Sequence, residues 1–129
     1  MYQAVLRDWI WSDGRGPELR RVHFLGTGFN LVALEYMNPD CADIKHLVLQ
    51  GTQVHLFTPE EVYNCLRDEV RWGPSIDSAA LVNLGKSEWL LTFDQRHLAR
   101  CNHYRIMFYD EYLDIICENI SADNGPYRG

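Results

Sequence analysis

Apolar and polar positions alternate most regularly between Tyr104 and Ile120. Tyr104, Ile106 and Phe108 alternate with Arg105 and Met107, and Leu113, Ile115 and Cys117 alternate with Asp114, Ile116 and Glu118. A side-chain period of two presses one face of a strand against a core. The segment Tyr109-Asp110-Glu111-Tyr112 lies between the two runs and reads as the turn of a hairpin. Its Asp can bond nearby backbone groups, which suits a turn. A single helix over 106–120 competes with this reading, but the β-branched and aromatic content favours strands.

Similar runs occur upstream. Leu19 to Phe24 and Phe29 to Met37 read as strands around a Gly26-Thr27-Gly28 turn. Leu47 to Leu49 and Val54 to Phe57 flank Gly51-Thr52 and read as a second hairpin. Val5, Arg7, Trp9 and Trp11 share one face if the N-terminal segment is a strand. Glu88 to Phe93 also reads as a strand, with Trp89, Leu91 and Phe93 on one face.

The strongest helical signal runs from Pro59 to Arg71. Thr58 is placed to cap free backbone N–H groups, Pro59 suits the first helical position, and Glu61 completes a capping box. Val62, Leu66 and Val70 form its apolar stripe, and Trp72-Gly73-Pro74 stops it. Asp94 reads as the N-cap of a shorter helix over 94–101. Strands interrupted by a few helices predict an α+β fold. The expected form is a mainly antiparallel sheet packed against helices 59–71 and 94–101, ending in a C-terminal hairpin. It forms one domain over residues 1–120, with 121–129 as a flexible tail.

Composition narrows the function classes. The 129-residue chain carries a net charge of −6. Its two lysines, Lys45 and Lys86, are isolated, and residues 106–126 hold five acids and no base. Phosphate backbones and anionic membranes are repelled by such a surface, so no nucleic-acid or membrane partner is expected. Arg7 and Asp8 interrupt any signal-peptide core, and the apolar runs are short of a membrane span. The expectation is a cytoplasmic protein whose four widely spaced cysteines stay reduced.

Candidate chemistry is sparse. Gly26-Thr27-Gly28 lacks the third glycine of a dinucleotide loop, and Gly85-Lys86-Ser87 lacks the glycine that opens a P-loop, so both read as turns. His97, Cys101 and His103 are the densest set of metal-capable side chains, with Asp94 as a fourth. An N-cap explains Asp94 and a buried thiol explains Cys101, so no metal and no cofactor are expected. No G-x-S-x-G elbow is present; Cys101 beside His97 or His103 is the least poor nucleophile, and no catalytic residue is assigned. His23, His46 and His55 receive no catalytic role.

Two functions follow. The first is a non-enzymatic protein-interaction or regulatory module, of inhibitor or immunity type, whose partner is another protein or a second copy. Tyr109, Asp110, Glu111 and Tyr112 would anchor it, because Tyr buries a large ring while keeping a hydroxyl. The second is a small-molecule binder or small enzyme. Trp9, Trp11 and Trp89 would line its cavity, and His97, His103 and Arg105 would supply polar contacts.

Overall fold

A computed structural model of the chain describes residues 3–4, 17–37, 43–59, 81–108 and 111–128. These residues form two antiparallel sheets. Five strands, β1 (Gln3–Ala4), β5 (Val54–Pro59), β6 (Leu81–Gly85), β7 (Asn102–Met107) and β8 (Glu111–Cys117), make the first in the order β1-β6-β7-β8-β5. Four strands, β2 (Glu18–Leu25), β3 (Leu31–Met37), β4 (Ile44–Gln50) and β9 (Asn119–Asn124), make the second in the order β2-β3-β4-β9. Strands hold 63% of the described residues, and the helices among them are one four-residue α-helix and short 3-10 turns. The expected helix-covered α+β fold is therefore replaced by a mainly antiparallel β fold of two sheets.

Alternation explains how the sheets meet. Val32, Leu34 and Tyr36 of β3 and Leu47 and Leu49 of β4 face Tyr104 and Ile106 of β7 and Leu113, Ile115 and Cys117 of β8. Leu81 and Phe108 complete this shared interior. Each sheet buries one side-chain face, as sheet-on-sheet packing requires. The C-terminal hairpin pairs Met107 with Tyr112 and Arg105 with Asp114. The Phe108 N–H donates to the Glu111 carbonyl at 2.8 Å and closes the turn.

Five local expectations change. Thr58 and Pro59 do not open a helix: they continue β5 opposite Tyr112 and Glu111. Backbone pairing with β8 outweighs the local capping signal there, and residues 60–71 lie outside the described residues. Glu88 to Phe93 is not a strand. Glu88–Leu91 is the helix α1, capped by Ser87, whose side chain accepts from the Leu90 N–H. Leu90 is buried and Leu91 is 57% exposed, which a strand burying Trp89, Leu91 and Phe93 does not allow. Asp94 does cap, accepting from the Arg96 N–H, but the structure it opens is only the 3-10 turn Gln95–His97. No helix continues to Cys101.

The fourth change concerns Gly51. β4 and β5 belong to different sheets, so no hairpin joins them. Gly51 takes φ +67°, and the chain crosses between sheets through Thr52, whose N–H donates to the Asn30 carbonyl at 2.9 Å. A Cβ at Gly51 would both strain the backbone and run into the Glu118 side chain, which makes the return crossing. Beyond Glu118, Ser121 to Asn124 belong to β9 and pair with Val48 to Lys45. These residues had read as the start of a tail. Ile120 and Ala122 pack on the shared core, which is why the strand forms. Among the described residues, no helix is long and apolar enough to cross a membrane.

Candidate functional site

The outward face of the five-stranded sheet carries the densest chemistry. β7 turns Tyr104 and Ile106 into the core, so His103 and Arg105 point the other way. On β8, Leu113 and Ile115 face the core, so Asp114 shares the outward face. All three polar residues are nearly inaccessible: His103 is 1%, Arg105 1% and Asp114 2% exposed.

Ser87 reaches this face from the turn after β6. Gly85 allows that turn with φ +63°, and its N–H donates to Asn83 Oδ1 at 2.8 Å. Lys86 Nζ donates to the carbonyls of Leu98 and Ala99, each at 3.1 Å, and to that of Cys101. This ties the turn to the segment leading into β7. Leu90 anchors α1 against Leu98, Cys101 and Ile116. Ser87 is left half-buried above His103.

The polar groups form one chain. Ser87 Oγ lies 2.7 Å from His103 Nδ1, and His103 Nε2 lies 2.6 Å from Asp114 Oδ1. Arg105 Nε donates to the same oxygen at 2.7 Å. An ionised carboxylate only accepts, so His103 Nε2 carries a proton and donates it. With a single proton on the ring, Nδ1 accepts from the Ser87 hydroxyl. Ser87 Oγ meanwhile accepts from the Leu90 N–H at 3.2 Å. These contacts link Leu90, Ser87, His103 and Asp114 in one continuous chain.

These are the groups of a Ser-His-Asp triad, with the ring turned. In the usual triad the serine meets Nε2 and the aspartate Nδ1; here the two nitrogens exchange roles. The chemical requirement is unchanged, because either ring nitrogen can hold the proton while the other accepts. Accessibility falls from half-buried Ser87 to the enclosed His103 and Asp114. A nucleophile needs that access, whereas its base and orienting acid gain from exclusion of water. Asp114 Oδ2 is buried without a hydrogen-bond partner among the described residues. Such an atom normally costs free energy.

Three residues expected from the sequence as pocket polar or aromatic groups meet here. Trp89 stands edge-on to His103 with ring centroids 4.8 Å apart, and His103 and Arg105 share Asp114. His97 sits exposed on its 3-10 turn and does not join them. Trp9 and Trp11 lie outside the described residues, as do Tyr109 and Asp110. Glu111 and Tyr112 are half-buried in β8. Cys101, the least poor nucleophile read from the sequence, is buried with its Sγ towards the Gly51 carbonyl. Burial pushes its thiol pKa up, which removes the thiolate that attack requires. Among the described residues no three His, Cys, Asp or Glu side chains are grouped to hold a metal.

Sequence reasoning missed Ser87 and Asp114. Ser87 showed only as part of a turn. Asp114 was the better signal: it is a lone acid inside the apolar run Leu113 to Cys117. The register of β7 against β8 places it opposite Arg105.

A second feature lies on the outward face of the four-stranded sheet. A cleft of about 360 Å³ is lined by His46, Asp123, Tyr127 and Arg128 among others. Tyr127 packs against both His23 and His46, His46 Nδ1 donates to the Gly125 carbonyl at 2.9 Å, and His23 bonds the buried Glu35. These contacts strap residues 125–128 across the sheet. No family model, no curated protein and no solved structure matches the chain.

Proposed function

We propose that the protein is a small enzyme of acyl transfer that hydrolyses an ester through Ser87. The observation supporting this is the unbroken hydrogen-bond chain Leu90 N–H, Ser87, His103, Asp114. Ser87 Oγ attacks the ester carbonyl carbon while its proton passes to His103 Nδ1. Asp114 holds the ring and stabilises the imidazolium that forms. The tetrahedral intermediate collapses, the alkoxide leaves with the proton from Nδ1, and an acyl-Ser87 ester remains. Water then attacks that ester and gives one proton to Nδ1. Collapse releases the acid and returns the proton to Ser87 Oγ. Atoms balance as ester plus water to acid plus alcohol.

Arg105 gives the site a second fixed contact. It shares Asp114 Oδ1 with His103, so two side chains of β7 hold the carboxylate of β8. The test is hydrolysis of p-nitrophenyl acetate by the full chain. Ser87→Ala and His103→Gln should each lower the rate by about 10²-fold or more, to the buffer background. Undiminished turnover in Ser87→Ala sinks the proposal.

A further inference from the structure

Among the described residues, a partly buried apolar cluster flanks Ser87 on one side. Trp89, edge-on to His103, is also edge-on to Phe93 at 5.5 Å. Trp89, Phe93 and Val54 are partly buried against Leu90, Leu98, Cys101 and Ile116. An apolar wall therefore starts at the imidazole and leads away over Trp89 and Phe93. Its partial exposure leaves surface for an apolar group to cover.

The charges beside Ser87 favour a neutral substrate. Lys86 precedes it, but its ammonium is engaged by the carbonyls of Leu98, Ala99 and Cys101. Glu88 follows it and is exposed. A carboxylate or phosphate on the substrate would meet the exposed Glu88 and find the Lys86 ammonium already bound.

Resting on the acyl-transfer reading, we infer that the substrate class is a neutral ester of an apolar carboxylic acid, its acyl chain lying along Trp89 and Phe93. The chain covers surface that is otherwise half open to water, and each methylene removed from water favours binding. A short acyl group reaches the nucleophile without using the wall.

The experiment compares p-nitrophenyl acetate, butyrate, octanoate and hemiglutarate on the full chain, with Ser87→Ala as blank. From acetate to octanoate, kcat/KM should rise by about tenfold or more. The anionic hemiglutarate should be turned over several-fold more slowly than butyrate. Phe93→Ala should lower the octanoate-to-acetate ratio several-fold, and Val54→Ser should lower it in the same direction. Each ratio is taken on one sample, so partial unfolding of a variant cancels. Ser87-dependent turnover with a flat chain-length ratio overturns the inference and leaves the acyl-transfer reading standing. Absence of Ser87-dependent turnover with every ester overturns both.

Discussion

Asp114 concentrates the energetics of the site in one carboxylate. Its Oδ1 accepts from His103 and Arg105, and both partners are as enclosed as the acid itself. Removing this carboxylate deletes two buried hydrogen bonds and one buried ion pair at once, which is far costlier than losing a surface pair. Asp114→Ala should therefore destabilise the protein by about 3–5 kcal/mol, read from the urea midpoint. A loss below about 1 kcal/mol would show that the three groups are not buried together. Ser87 differs in kind. Its hydroxyl caps α1, and losing such a cap costs about 1 kcal/mol. Ser87→Ala should thus remain folded, which makes it a usable blank for the chemistry.

At the scale of elements, local pattern and long-range pairing divide the structure between them. β2, β3, β7 and β8 were legible because their alternation is strong and their partners are near in sequence. The separation of β4 from β5 was not, since a glycine turn reads alike whether it closes a hairpin or a crossover between sheets. Thr58-Pro59 carried good capping chemistry, yet both residues pair with β8. Trp89, Leu91 and Phe93 have strand spacing, but Ser87 can cap a helix and Leu90 is the residue that reaches the core. β9 carried a weak signal in Ile120 and Ala122, and its partner β4 lies far upstream. The site was partly legible for the same reasons. His103, Arg105 and Trp89 stood out as residue types, whereas Ser87 joins them only through a turn whose direction depends on tertiary packing.

The whole molecule shares one interior between its sheets, and Cys117 lies in it fully enclosed. Burial pushes the Cys117 thiol up to about 12 from an ordinary value of 9.0. The unfolded chain releases this proton near its ordinary value while the folded chain keeps it. The resulting stability is therefore complete below about pH 9 and is lost as pH rises towards 12. Urea unfolding at pH 8 and pH 10.5 should show a decline in wild type that is smaller in Cys117→Ala. Cys101 and Tyr104 shift in the same direction through burial, so the variant retains part of the slope. An equal slope in both proteins would place Cys117 outside the shared interior.

An activated Ser87, as opposed to one that only caps α1, is open to modification by a small fluorophosphonate. Folded wild-type protein should gain one adduct by intact mass, mapped to the peptide containing Ser87. Ser87→Ala and urea-unfolded wild type should gain none, because a serine hydroxyl without its base is unreactive. An unmodified wild-type protein, or an adduct that persists in Ser87→Ala, would contradict the account and leave the Ser87, His103 and Asp114 chain as a brace between α1 and the sheet.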